Sequence, residues 1–349
     1  MMGPKTVITT LVLFIIIIFN LNAQEDKASN PPQAKSKAEY DAYYELYSEK
    51  DMSKKARLSD RFLRAFPNSE YRISAAQIGL RANRALGRHN EIVRIGEKIL
   101  TDLPQTKIKL KIGILTLMMN SYQQLNNLNK TVAVSNRLLR LDPKHLPTLL
   151  RLSSILTLGL PEDLDARNSQ LKRALNIALR AQEQVNIYLS RPKPSKFTES
   201  QWKKNRLTLL SQIHTALGAI HFHQKEFNLS VQEYERATEL VKKDGTSFYR
   251  MGNSYLYQAE AISEEMTQFV TSNPSEVSVG DEKLRQYNIL RDKAIESFAK
   301  VIALKNHVST EIFQAAKTHL ERLYMHKNNN SLVGLEALIL DVGQRLNNN

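Results

Sequence analysis

The segments LGAIH at residues 217–221 and MGNSY at residues 251–255 stand 34 residues apart. In both segments an apolar residue precedes a glycine, and a ring-bearing side chain follows that glycine three residues later. A repeat of this length is typical of stacked helix pairs, in which the glycine lets two helices cross closely. The two segments therefore predict a repeating helix-turn-helix fold.

The chain from residue 38 onward continues the helical pattern. Its apolar residues recur three and four positions apart, and no long strand-like alternation occurs. Pro67, Pro104 and Pro143 each follow such a stretch, and proline ends a helix because it lacks an N–H group and clashes with the preceding turn. Gly87 and Asn126 each lie 17 residues before one of these prolines, where they mark the turn inside a helix pair. We therefore expect an all-α protein.

The spacing of these residues resembles that of the tetratricopeptide repeat family. Tyr234 and Ala237 match the second helix of such a repeat, and FPNSEY at residues 66–71 is similar to the junction between repeats in bacterial envelope proteins of the family. As a whole, residues 40–346 resemble secreted bacterial tetratricopeptide proteins, and the match is closest at residues 207–257. The resemblance implies an α-solenoid, a superhelix of helix-turn-helix repeats, with a concave wall that binds a protein or peptide.

The N-terminus has the pattern of an export signal. Lys5 precedes the apolar run at residues 7–19, and Ala23 is a small residue at a suitable cleavage point. The run is shorter than the about 20 residues that a membrane-spanning helix needs. We expect cleavage after Ala23 and export to the periplasm or the extracellular space. An uncleaved membrane anchor is the alternative, because Leu21 stands where a second small residue is preferred.

Two helix pairs are predicted to be longer than the others. Ser230 and Ala294 resemble the same repeat position but lie 64 residues apart, so one repeat carries 30 extra residues. Its two arms are expected to bury their apolar residues, including Leu284, against each other. The predicted organisation is a signal peptide (1–23), a flexible linker (24–37), an N-terminal helical repeat array (38–189), a basic Pro-containing hinge (190–197) and a C-terminal repeat array (198–349) with a helical insertion at about 259–291.

The composition offers little for catalysis. The 349 residues include no cysteine, which excludes disulfides, thiolate metal sites and cysteine nucleophiles. Phosphate-binding glycine loops, nucleophile elbows, zinc-protease motifs and calcium loops do not occur in the sequence. His214 and His221 share a helical face, but His221 occupies the packing position of the repeat, so no metal site is predicted. We expect a noncatalytic protein without cofactor.

The concave wall is the first predicted binding surface, for a partner protein or peptide. The lysines of a carboxylate clamp are missing, since Thr116 and Tyr249 stand in their places. Counting from the repeat glycines gives the predicted partner-binding residues: Asn120, Gln123, Thr215, Phe222, Tyr249, Asn253 and Leu256.

A basic segment around the hinge is the second predicted binding surface. The net charge of the chain is +14, which favours acidic partners, and an exported protein is not expected to meet nucleic acid. Anionic lipid or an acidic envelope polymer would be the target, whereas the nearby Trp202 is predicted to lie in the core. The predicted contact residues are Arg191, Lys193, Lys196, Lys203 and Lys204.

Overall fold

The computed structural model describes residues 33–272 and 277–348. These residues form fourteen α-helices and one short 3-10 helix (305–307), without a β-strand among them, and the predicted all-α helix-turn-helix repeat fold is confirmed. The predicted signal peptide and most of the predicted linker lie outside the described residues. The helices are α1 (Lys37–Ser48), α2 (Met52–Ala65), α3 (Arg72–Ala85), α4 (His89–Asp102), α5 (Ile108–Gln124), α6 (Leu128–Leu141), α7 (Leu146–Ile155), α8 (Leu164–Leu189), α9 (Glu199–His223), α10 (Phe227–Leu240), α11 (Gly245–Ser272), α12 (Val277–Ala303), α13 (Thr310–Lys327) and α14 (Leu335–Asn348).

The described residues divide into two compact units, an N-terminal unit of residues 33–148 and a C-terminal unit of residues 149–348. Residues 190–197, predicted to be a hinge, belong to the loop between α8 and α9, and both of these helices lie in the C-terminal unit. The division of the array at this loop stays a prediction.

The helix ends in the N-terminal unit follow the predicted proline positions. Helices α2, α4 and α6 each end two residues before Pro67, Pro104 or Pro143. The residue before a proline is sterically biased away from the α conformation, which stops the helix there. Gly87 and Asn126 have φ angles of 65° and 53°, the left-handed conformation that closes a helix C-terminus. One core, built from buried residues of α1 to α6, holds these helices together.

Close helix crossings organise the C-terminal unit. A Cβ atom added to Gly218 would lie 2.8 Å from the ring of Tyr234, and one added to Gly252 would lie 2.8 Å from the ring of Phe298. Tyr234 and Phe298 are both fully buried. The two rings therefore occupy the same repeat position although they lie 64 residues apart, as the sequence predicts.

The long helix pairs are present as predicted. Helices α11 and α12 have 28 and 27 residues, and α8 and α9 have 26 and 25. Of the side chains described between residues 260 and 293, however, none is fully buried. Leu284 and Ile289 are 45% and 48% exposed, so the expectation that Leu284 is buried is wrong. The reason is that this part of the helix pair extends beyond the core cluster, which begins again at Ala294.

The crossing at Gly252 gives a prediction about stability. In the Gly252→Ala variant the added methyl group would overlap the buried Phe298 ring, so the free energy of unfolding should fall by about 1–3 kcal/mol. Gly280→Ala is the matched control, because a Cβ atom there meets no described atom within 4 Å and alanine favours helix. Urea unfolding followed by circular dichroism measures both. Equal stability of the two variants would contradict the packing role of Gly252.

Candidate functional site

Three of the predicted partner-binding residues have packing roles inside the C-terminal unit. Leu256 is only 6% exposed and belongs to the core cluster. Tyr249 packs against that cluster, with its ring 6.0 Å from the ring of Phe298. The hydroxyls of Thr215 and Ser247 lie 3.0 Å apart and link α9 to α11. These side chains therefore position the first helices and offer little free surface.

Phe222, by contrast, lies in a cluster of partly exposed rings, which we call the aromatic cluster: Phe222, Phe227 and Tyr257. The ring centroids of Phe222 and Tyr257 are 5.3 Å apart, those of Phe222 and Phe227 are 5.6 Å apart, and both pairs meet edge to face. Phe227 and Tyr257 stack with centroids 5.7 Å apart. Tyr257 is 44% exposed and the two phenylalanines are half-buried. The cluster is thus a preformed apolar surface that stays open to solvent.

A tight turn brings the two phenylalanines together. Helix α9 ends at His223, and Lys225 has a φ angle of 64°. The Lys225 N–H donates to the Phe222 carbonyl at 3.0 Å, and the Glu226 N–H donates to the His221 carbonyl at 2.9 Å. These bonds satisfy the last carbonyls of α9 and start α10 at Phe227.

Hydrogen bonds between α10 and α11 hold Tyr257 beside the turn. The hydroxyls of Ser230 and Ser254 lie 2.9 Å apart in the buried contact between these helices. The Tyr255 hydroxyl donates to Glu235 Oε1 at 2.9 Å, and burial together with this bond raises the pKa of Tyr255. The position of Tyr257 is therefore fixed by the same contacts that join one repeat to the next.

The sequence prediction missed Phe227 and Tyr257. Tyr257 lies 34 residues after His223, so the repeat spacing already places it on the same side of its helix as an exposed residue of α9. Phe227 is the first residue of α10, and only the turn geometry shows that it meets Phe222. Asn253 lies one helical turn before Tyr257 and is half-buried.

The remaining predicted residues lie elsewhere. Asn120 and Gln123 belong to α5 of the N-terminal unit, where Asn120 is exposed. At the basic loop, Lys193 Nζ donates to the Phe197 carbonyl at 2.8 Å, and Lys196 Nζ lies 5.1 Å from the Phe197 ring centroid. Trp202 is buried, with its ring 5.3 Å from that of Tyr188, so the predicted core position is confirmed. The three other basic residues are exposed: Arg191, Lys203 and Lys204.

The two histidines that share a helical face in α9, His214 and His221, each pair with a glutamate. His214 Nδ1 lies 2.7 Å from Glu233 Oε2, and His221 Nδ1 lies 2.6 Å from Glu226 Oε2. In the described part of the chain, no three His, Asp or Glu side chains come together as a metal site would require. Among the described helices, none combines the length and the apolar character that crossing a membrane requires.

Comparison with known proteins gives structural matches only. No protein-family model matches the chain, and no characterised protein matches its sequence. Similar solved structures include a tetratricopeptide repeat protein from Parabacteroides merdae, at 13% identity, with 83% of this chain and 100% of that chain covered and a TM-score of 0.42. A TPR protein from Thermus thermophilus has 16% identity, covers 58% of this chain and 92% of its own, and has a TM-score of 0.34. The likeness concerns the fold alone.

The fold is of the tetratricopeptide type. Its repeat is carried by the 34-residue spacing of Gly218 and Gly252 and by the buried ring that packs on each glycine. This tetratricopeptide array places the aromatic cluster on the first helices α9 and α11 and at the start of the second helix α10.

The packing of His319 near Tyr249 predicts how the free energy of unfolding depends on pH. The His319 ring stacks on Phe298 at 5.2 Å, and burial lowers the pKa of His319, with the Arg322 charge acting in the same direction. An unfolded histidine has a pKa of about 6.5, so the unfolded state binds the proton more tightly. The free energy of unfolding should therefore fall as the pH decreases from 7.5 through 6.5 towards 5.

His319→Gln should reduce this dependence on pH, because glutamine does not titrate. His307→Gln is the control, since His307 is exposed. Urea unfolding at pH 7.5, 6 and 5 measures the effect. If His319→Gln and His307→Gln show the same pH dependence, the contribution assigned to His319 is wrong.

Proposed function

We propose that this protein is a noncatalytic scaffold that binds another protein or a peptide through the first-helix surface of its C-terminal unit. The aromatic cluster is the observation that carries the proposal. Large aromatic side chains dominate the energetics of protein interfaces because they bury much apolar area and lose little conformational freedom. Here the three rings already hold one another in place, which lowers the entropy lost on binding.

Asn253 supplies the polar contact that such a surface needs. It lies four residues before Tyr257 on α11 and so shares its helical face. A side-chain amide can both donate to and accept from the backbone of an extended peptide. Apolar side chains of the partner would pack on the rings while its backbone is bound at Asn253.

The contribution of the aromatic cluster to binding can be tested by replacing two side chains that are equally exposed, one inside the cluster and one outside it. Tyr257→Ala should weaken partner binding about tenfold or more, because alanine removes the most exposed ring of the cluster. Leu229→Ala is the matched control, since Leu229 on α10 is also 44% exposed but lies outside the cluster. Each purified protein is immobilised, exposed to cell-envelope extract and washed, and the retained proteins are quantified by mass spectrometry.

The proposal expects at least one protein that wild type and Leu229→Ala retain equally and that Tyr257→Ala loses. Circular dichroism must show that all three proteins are equally helical. If Tyr257→Ala and wild type retain the same proteins in the same amounts, binding at the aromatic cluster is refuted.

The second candidate function is association with anionic lipid or an acidic envelope polymer through the basic loop. Its support is that Arg191, Lys203 and Lys204 are exposed and make no ion pair with any described residue. At about 1 kcal/mol for each basic residue near an anionic surface, three such residues give only about 3 kcal/mol. We therefore favour the scaffold function. Salt distinguishes the two, because electrostatic attachment weakens with ionic strength and apolar burial does not.

We further propose that the protein is exported and acts in the cell envelope, in the periplasm or outside the cell. The support comes from the sequence of residues 1–23. N-terminal sequencing of the protein from an expressing bacterium should give Gln24 as the first residue. Leu21→Ala should increase the cleaved fraction, because it supplies the second small residue before the cleavage point. Recovery of the intact N-terminus from membranes for both proteins would instead favour an anchored form.

A further inference from the structure

A cavity lies among helices α12, α13 and α14 of the C-terminal unit. Helices α13 and α14 each pack against α12 and much less against each other, which leaves a gap between them. This gap is an open cavity of about 340 Å³. Small-molecule sites in proteins have volumes of about 300–1,000 Å³, so the cavity is large enough for a small ligand. It shares no residue with the aromatic cluster, which belongs to α9, α10 and α11.

Part of the cavity wall is apolar and fixed in position. Ile295 of α12 is only 4% exposed and belongs to the core cluster, and Leu338 of α14 packs against that cluster. Tyr324 of α13 adds its ring to the wall, and its hydroxyl donates to the Val333 carbonyl at 3.0 Å. The cavity therefore offers a preformed apolar surface to one part of a ligand.

The charged part of the wall has an acidic and a basic side. Asp292 and Glu296 lie one helical turn apart on α12, so they share one side of that helix. Lys327 at the end of α13 and Arg345 of α14 supply the basic side. Lys327 Nζ lies 2.8 Å from Asp292 Oδ2, and Arg345 Nη1 lies 3.5 Å from Glu296 Oε1. Both signs of charge are thus present in one small cavity.

The pair of Glu296 and Arg345 keeps unused hydrogen-bonding capacity. Its 3.5 Å separation exceeds the about 2.7–2.9 Å of a well-formed hydrogen bond between charged groups. Glu296 Oε1 also lies 3.2 Å from Lys300 Nζ, whereas Oε2 accepts no hydrogen bond from any described residue. The Asn328 side-chain N–H donates to the Tyr324 carbonyl at 2.9 Å, and its side-chain oxygen is likewise without a donor among the described residues. Glu296 and Asn328 can therefore accept from an ammonium group, and Arg345 can donate to a carboxylate.

We propose that this cavity binds a free α-amino acid with an apolar side chain. The ammonium group of the ligand pairs with Glu296, its carboxylate pairs with Arg345, and its side chain packs on Ile295 and Leu338. The proposed site is additional to the scaffold surface, because it lies on different helices and takes a small molecule.

The charges of the wall select a zwitterion over other small ligands. A simple anion would lie against Asp292 and Glu296, and a simple cation would lie against Lys327 and Arg345. Like charges brought together in a partly desolvated site oppose binding, which excludes both kinds of ligand. A zwitterion places each of its charges beside the opposite charge of the wall, and an apolar side chain on it uses the remaining surface.

The ligand chemistry can be tested with L-leucine and three relatives that each lack one feature. N-acetyl-L-leucine lacks the ammonium group, L-leucinamide lacks the carboxylate, and glycine lacks the side chain. Isothermal titration calorimetry with the full-length protein should show saturable binding of L-leucine with a Kd below about 1 mM. Each relative should bind at least about tenfold more weakly, because it loses an ion pair or the apolar contact.

The site can be tested with two variants and their matched controls. Glu296→Gln and Arg345→Gln should each weaken L-leucine binding at least about tenfold, since each removes one charge that the ligand needs. Glu321→Gln and Arg322→Gln are the controls on α13, outside the cavity wall. Their side chains are 36% and 58% exposed, close to the 40% of Glu296 and the 53% of Arg345. These controls should change the affinity less than about twofold.

Three outcomes would overturn the inference. They are no saturable binding of L-leucine up to about 10 mM, equal affinity for L-leucine and any of its three relatives, and unchanged affinity in both cavity variants. Circular dichroism establishes that the variants are folded, and the comparison of ligands on the wild-type protein decides the matter if a variant is not. Tyr257→Ala should leave L-leucine affinity unchanged, so this site and the aromatic cluster can succeed or fail independently.

Discussion

The contact between a glycine on one helix and a buried ring on the next is the constraint on which the C-terminal unit depends. At Gly218 and Gly252 even one methyl group would overlap the ring of Tyr234 or Phe298. The helices can approach this closely only because the side chain is absent. Protein interiors are close-packed, so the distance between the glycine and the ring sets the separation of the two helices where they cross. The faces that the helices present to solvent follow from it.

The aromatic cluster follows from this packing. Once Tyr234 is buried beneath Gly218, Phe227, two turns earlier on α10, comes to lie beside the end of α9. Tyr257 reaches the same place because α11 repeats the geometry of α9 after 34 residues. The partly exposed side chains at the ends of the repeat helices can therefore form a binding surface without a dedicated loop or a cofactor.

Local signals in the sequence predicted much of the fold, and long-range packing accounts for what they missed. The helix ends before Pro67, Pro104 and Pro143 follow from the geometry of one peptide unit, so the sequence alone locates them. The burial of Leu256 and the exposure of Leu284 depend on which distant helix lies opposite, and a periodic pattern does not contain that information. Phe222 was predicted from repeat counting, whereas Phe227 required the turn at Lys225.

The distribution of charge in the N-terminal unit is not explained by stability. An exposed ion pair contributes about 0–1 kcal/mol, so carboxylates on α3 and α5 would be nearly neutral for folding. Pairs such as Arg94 with Asp60 and Arg137 with Glu97 join successive second helices across 34 and 40 residues. On the first helix α3, Arg72 pairs with Asp102 of α4, whereas Arg81 and Arg84 make no ion pair with any described residue. Because α3 and α5 carry no carboxylate, the exposed basic side chains on these two helices keep their positive potential, which folding stability alone does not require.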